Sequence, residues 1–313
     1  MKQNEAGWRE EAKINQSAIS RLPAEVQLIG TFAVEAALYE AACAPAPGLV
    51  DRFNQGAHTD MDLFSFLSSS SAIGPGLFAC AAAGWRHRGD PTVLFNKIRP
   101  IGQETERAMF RATQGVNTQK GLIFLLGTLA AAAAQTVRRQ QPPSAAGVLL
   151  VASVMTVGLT ARELAPLRDN SSPGILTAGE RLFLTYGVTG IRGELEAGAP
   201  AVLQTGLPCL RAALANGLTV NDALVQTLLA LMTVVDDTTI LHRHDMETLL
   251  FVRQQAREVL AIGGMNTAAG RKRILDMDCL FNGRRISPGG SADLLAAAWF
   301  LHRLEKSWDT KEK

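Results

Sequence analysis

The chain has 313 residues, 47% of them hydrophobic and 19% charged, enough apolar material for one large domain or two closely packed ones. Its formal net charge of +2 gives no electrostatic footprint for nucleic acid or an anionic membrane. Cys43, Cys80, Cys209 and Cys279 stand far apart with no CxxC pair, which argues against a disulfide framework or a zinc ribbon and fits reduced thiols in a cytoplasmic protein.

Met1 to Arg21 is polar and lacks the apolar stretch of a secretory signal, so residues 1–22 read as a flexible N-terminal segment. Residues 23–306 read as a single helical domain and 307–313 as a tail. Period-two alternation is scarce and aromatic residues make up only 6%, so the expected class is all-α, a multi-helix bundle with polar Gly-rich joints. A first helix is expected over Glu25–Ala42, stopping before Pro45 and Pro47, and another over about Ile101–Thr113. Two uncharged segments follow, Gly121–Val137 and Ala145–Ala161, joined around Pro142 and Pro143. Both fall short of the ~20 residues of a membrane span, and their Ala, Gly and Thr content fits a buried helical hairpin. Thr177 with Glu180 reads as a capping box for a helix ending near Gly187. Long helices are expected over Thr219–Asp237 and Asp245–Ile262, the latter ended by Gly263-Gly264, and a last one over Ser291–Lys306.

The joints carry the chemistry. Pro45 to Asp62 holds Asp51, Arg52, Asn54, His58, Asp60 and Asp62, and carboxylates with an imidazole at short spacing suit a divalent ion or a proton acceptor. The same residues also make turns and helix caps. Thr113 to Gly121 runs through Asn117 and Lys120 into an apolar helix, where free N–H groups favour an anion, although the GxxxxGK[ST] spacing is absent. Gly187 to Gly198 contains four glycines, Arg192 as a phosphate fork, and Glu194 and Glu196, which share a side if the segment is extended. Asp236-Asp237 closes an apolar helix ahead of His242, Arg243 and His244, an end where the helix dipole disfavours negative charge and a cationic partner would relieve it. Ser287-Pro288-Gly289-Gly290-Ser291-Ala292-Asp293 resembles an anion nest, or plain capping with Ser291 as N-cap. Each joint also reads as an ordinary surface loop. Five of them between apolar helices suggest one polar cleft for a phosphorylated ligand.

The ordered strings PGLVDR, NxGAHxDMD, GVNTQKG, TGIRGELEAG, DDTTILHRHD and SPGGSADLLA resemble the triphosphoribosyl-dephospho-CoA synthase family, from about Glu25 to Leu304. The resemblance implies transfer of the ribose triphosphate of ATP to the 2′-hydroxyl of 3′-dephospho-CoA with loss of adenine. The product is the precursor of the prosthetic group of a citrate lyase or malonate decarboxylase acyl carrier protein, taken up by a downstream prosthetic-group transferase. Ala46 and Gln119 stand where many relatives carry Lys and His, which puts roles for those two side chains in doubt. On this reading Asp51, His58, Glu194 and Glu196 are the acid–base and charge-stabilising candidates. Arg52, Asn117, Lys120, Arg192, Arg243, Ser287, Gly289, Gly290 and Ser291 are the candidates for substrate and phosphate, and Asp60, Asp62 and Asp237 for Mg²⁺. Breaking an N-glycosidic bond builds positive charge on the ribose, which a carboxylate stabilises. Two other classes fit parts of the pattern: an all-α Mg²⁺-dependent diphosphate enzyme of the isoprenoid-synthase kind, though no full DDxxD pair is present, and a non-enzymatic docking module for a carrier protein.

Overall fold

The computed structural model describes residues 22–139, 142–164 and 176–309, and among these there is no strand. The fold is all-α, as the sequence implies. The expected flexible segment 1–22 lies outside the described residues except for Leu22, and so do residues 310–313 of the expected tail.

Three helices form the centre, two of them apolar on nearly every side and the third so only up to Leu301, as expected of helices without a solvent face. They are α4 (Lys120–Arg138), α10 (Val220–Met232) and α14 (Gly289–Asp309). In α4 the run Leu129–Ala134 is fully buried. Its alanines let neighbours approach to backbone contact: a Cβ added to Gly84 of α2 (Leu63–Arg86) would fall 2.1 Å from the Ala131 carbonyl oxygen. α14 packs on α4, on α10 and on α1 (Ala24–Ala42), with Ala296, Ala297, Phe300 and Leu301 wholly inside. The remaining helices wrap this centre: α3 (Pro91–Ala112), α5 (Ala145–Thr156), α6 (Leu159–Glu163), α7 (Ala178–Tyr186), α8 (Gly190–Glu196), α9 (Leu207–Ala215), α11 (Thr238–Arg243), α12 (Met246–Ala261) and α13 (Ala268–Arg284).

Several boundaries differ from expectation for local reasons. α3 begins at Pro91, where Asp90 caps and Pro occupies the first turn, so Pro100 lies inside the helix. α2 was not foreseen at all, because Ser68–Ser71, Gly74, Pro75 and Gly76 lower its helical propensity. Its start is set by a capping box between Asp62 and Ser65. The expected hairpin is present as α4 packed on α5, but α5 breaks at Val157 and the left-handed Gly158. α2, α4 and the stretch Ala145–Glu163 are long and apolar enough to cross a membrane by length and composition, one more than the sequence suggested. In α4, 83% of that apolar window is buried within the bundle. α10 stops at Met232 instead of Asp237, and α14 runs to Asp309, three residues beyond the expected end. The capping box of Thr177 and Glu180 forms as read.

Candidate functional site

The early stop of α10 relocates Asp237. It is not a helix C-terminus but the N-cap of α11, accepting from Thr239 N at 3.0 Å and Ile240 N at 3.4 Å. The same carboxylate reaches the start of α14, accepting from Gly290 N at 3.1 Å, Ser291 N at 2.8 Å and Ser291 Oγ at 3.0 Å. The expected repulsion by a helix C-terminus is thereby reversed: Asp237 lies at two positive helix ends. It is 1% exposed, and burial raises its pKa against the pull of Ser291, Gly290 and Ile240.

Asp51 is built in the same way. Its Oδ2 accepts from Ala46 N at 3.0 Å, and Oδ1 from Phe53 N at 2.7 Å and Asn54 N at 3.1 Å. It therefore shapes its loop with both oxygens. Asp278 of α13, which the sequence reading missed, accepts from Gly48 N at 3.1 Å and Asn54 Nδ2 at 2.9 Å and holds that loop to the bundle. Gly48 (φ 77°) is required there, since a Cβ would fall 2.0 Å from the Ile286 carbonyl oxygen. Arg52 lies over the exposed ring of Phe53 at 5.1 Å.

His58 joins the first joint to two others. Its Nε2 is 3.0 Å from Ser287 Oγ, its Nδ1 is 3.2 Å from an Arg243 nitrogen, and Asp60 Oδ1 is 3.7 Å away. Burial first, then the Arg243 cation, lower its pKa to about 4, although Asp60 pulls the other way. The ring is thus neutral near pH 7. A guanidinium only donates, so Nδ1 accepts from Arg243 and the Nε2 hydrogen faces Ser287. Asp62 caps α2 through Ser65 N at 2.9 Å, and Asp60 is an exposed carboxylate. Among the described residues no three His, Cys, Asp or Glu side chains gather as a metal cage. Asp60, Asp62 and Asp237 are therefore not brought together as one metal centre.

Asn117 Oδ1 accepts from Lys120 N at 3.2 Å and so shapes the entry to α4. Gln119 is buried and bonds Ser69 and Ser70 of α2, a structural role that leaves it no face for a ligand. Lys120 pairs with Glu106 at 3.1 Å, and Arg192 with Glu163 at 3.3 Å. Both cations line a cavity of ≈ 230 Å³, together with Arg99 and the apolar Phe95, Ile98 and Phe124. The Gly187–Gly198 joint is not extended: Gly190–Glu196 is helix, so Glu194 and Glu196, two residues apart, point roughly 200° away from each other. Glu194 accepts from Ala201 N at 2.7 Å, and burial raises its pKa. Glu196 accepts from Gly158 N at 2.6 Å, Thr160 N at 3.0 Å and Thr160 Oγ1 at 2.7 Å. Burial pushes its pKa up, but these donors outweigh it and hold the carboxyl below its ordinary value.

The joints abut one another. Besides the His58 and Asp237 contacts, Gly289 leaves only 2.9 Å between an added Cβ and Thr239 Oγ1, and Gly190 only 3.0 Å to Thr238 Cγ2. At Gly121 an added Cβ would fall 2.1 Å from Asp293 Oδ2. Two more acidic residues lie here: Asp293, part of the expected nest or cap, and Glu40, to which the sequence assigns no role. Glu40, on the last turn of α1, is 9% exposed. Asp293 keeps some exposed surface as a residue, while its carboxylate lies inward against Gly121. Burial pushes Glu40 up to about 7; burial, then the charges of Glu40 and Asp237, push Asp293 far above the usual carboxylate range.

The sequence family described as ATP:dephospho-CoA triphosphoribosyl transferase matches residues 26–312. A probable 2-(5''-triphosphoribosyl)-3'-dephosphocoenzyme-A synthase of Vibrio cholerae serotype O1 is 39% identical over 294 residues, 94% of this chain and 93% of its own. Its counterpart in Lactiplantibacillus plantarum is 40% identical over 279 residues, covering 88% and 97%. The 2-(5''-triphosphoribosyl)-3'-dephosphocoenzyme-A synthase of Pectobacterium atrosepticum is 38% identical over 294 residues, covering 93% and 94%. No solved structure matches the chain.

Proposed function

Because this chain belongs to the ATP:dephospho-CoA triphosphoribosyl transferase family, we propose that it joins the C1 of the ATP ribose to the 2′-hydroxyl of 3′-dephospho-CoA, leaves the triphosphate intact and releases adenine. Family and relatives alike identify a transferase with triphosphoribosyl-dephospho-CoA synthase activity, so neither the isoprenoid-synthase nor the docking-module reading is retained.

The observation that carries the finer reading is the meeting of the first turns of α4 and α14 at Gly121 and Asp293, beside Lys120. Backbone N–H groups at the start of a long helix attract an anion, and a triphosphate is a highly charged one. In this reading Lys120, Arg192 and Arg243 receive phosphate oxygens, Lys120 and Arg192 exchanging Glu106 and Glu163 for the ligand. Ser287, Gly289, Gly290 and Ser291 form the nest wall opposite. Asp51, Glu196 and Asp237 act as positioning residues, because their oxygens already serve backbone donors. Glu194, half-buried with its ionisation disfavoured, and His58, held neutral, are left for acid–base work; His58 gains a free lone pair only when Arg243 turns to substrate. ATP enters as its Mg²⁺ complex in the cytoplasm, and the product passes to the prosthetic-group transferase of a citrate lyase or malonate decarboxylase carrier protein.

Incubation with ATP, Mg²⁺ and 3′-dephospho-CoA, followed by chromatography, tests the reading. Adenine is the expected product. ADP or diphosphate in its place would sink the assignment. An α-linked ribose in the adduct by NMR is the expected sign of one direct displacement; a β linkage would replace that step with two.

A further inference from the structure

Buried carboxylates in a folded protein almost always find donors. Asp51, Asp237 and Asp278 do so, yet the buried Glu40 and the partly exposed Asp293 accept no hydrogen bond and form no ion pair with any described residue. α1 packs on α14, with the ring of Tyr39 5.1 Å from that of Trp299, and the charge of Glu40 acts on Asp293. Glu40 stands on the last turn of α1, the negative end of a 19-residue helix with no basic residue in that turn. Glu40 at the negative end of α1 and Asp293 in the first turn of α14 thus leave two carboxylates with no side-chain partner among the described residues.

We propose that Glu40 and Asp293 are the protein's ligands for the divalent cation that accompanies the triphosphate. The assignment rests on the triphosphoribosyl-transfer reading for the identity of the anion. Mg²⁺ characteristically takes one or two carboxylates and fills the rest of its octahedron with water and substrate phosphates, so a cage of three acidic side chains is not needed. The Oδ2 of Asp293 lies against Gly121, in the first turn of α4 and next to Lys120, where the phosphates are placed. A cation there would be held by Glu40 and Asp293 and would neutralise charge on the triphosphate. Asp237 contributes its field but not a bond, since five donors already engage it.

The probe is Mn²⁺, titrated into the full-length protein with and without ATP and followed by the electron paramagnetic resonance of the free ion. Glu40→Gln and Asp293→Asn are each expected to weaken binding at least about tenfold, a loss of roughly 1.4 kcal/mol. Their metal-free melting temperatures are expected to equal or exceed that of the parent, because each removes an unpartnered acid. In the parent protein, needing no variant, Mn²⁺ is expected to broaden the Gly121 amide resonance ahead of that of the exposed Asp60. Unchanged Mn²⁺ affinity in both variants under both conditions overturns the site. A fall in metal-free melting temperature overturns it too, by making the pair structural. Adenine release by the parent alongside unchanged Mn²⁺ binding in the variants removes the site and leaves the reaction. Loss of Mn²⁺ binding in the variants, with ADP in place of adenine from the parent, removes the reaction and leaves the site.

Discussion

Asp237 and Asp293 are both acidic, both drawn into the fold near the start of α14, and treated in opposite ways by their surroundings. Asp237 receives five donors from two helix starts. Asp293, two residues past Ser291, receives none from the described residues, and neither does its neighbour Glu40. The first arrangement is architecture, since every oxygen fixes a piece of backbone. The second is a standing electrostatic debt within the described protein, of the kind that persists where a ligand settles it. An acidic residue in a Gly-rich joint is thus not one category, and the count of donors separates the two.

That contrast can be broken at its strongest point first. Asp237→Ala leaves the Thr239, Gly290 and Ser291 N–H groups without their acceptor inside the protein. The expected loss is about 4 kcal/mol of stability, read as a lower urea midpoint with an unchanged slope. A loss below about 1 kcal/mol would show that the junction does not hold the two helix starts. Glu40→Gln is expected to do the reverse in metal-free protein at pH 8, gaining about 2 kcal/mol by removing an unpaired buried charge; destabilisation would erase the distinction between the two carboxylates. Ser291→Ala deletes one of the five donors and should cost about 1 kcal/mol, with no larger effect on the midpoint.

The last test concerns charge held off rather than charge compensated. His58 titrates at about 4 in the folded protein against an ordinary 6.5. The unfolded chain therefore takes up this proton first as pH falls, so this residue's contribution to stability is complete above about 6.5 and is lost progressively down to about 4. The C2 proton of His58 should follow the low midpoint by NMR. Arg243→Ala should move it upward, because the second cause of the depression is removed. A midpoint near 6.5 in the parent would show that His58 is neither buried nor paired as described.

The helical class and the central helices were legible because α4, α10 and the Ala292–Leu301 part of α14 carry apolar residues on almost every side, a pattern that survives any error in boundaries. α2 was not, since its run of serines and its Gly-Pro-Gly stretch speak locally against a helix that tertiary packing on Ala131 enforces. The joints were legible as strings, and the structure places them in contact. Their division of labour was not. Asp51 or Glu196 in a sequence looks the same whether its oxygens end on backbone N–H groups or point at a ligand, and only the path of the chain decides. Glu194 and Glu196 were paired by assuming extended backbone, and a short helix separates them. Glu40 had a usable signal, a single acid among Ala33, Ala36, Ala37 and Ala41 on a face that the apolar pattern marks as interior. Asp278 had none, because its partners Gly48 and Asn54 are more than two hundred residues away.

The junction at Asp237 also sets a timetable. Its partners at Gly290 and Ser291 come 53 and 54 residues later in the chain. At translation rates of about 5–20 residues per second, the carboxylate waits roughly 3–10 s before the backbone that completes it has been made. Throughout that interval Asp237 has only the Thr239 and Ile240 N–H groups of α11 among its five donors. A nascent chain therefore passes from lacking this junction to possessing it in one late event, when α14 docks, and a ribosome paused before codon 290 displays the other joints without the means to join them.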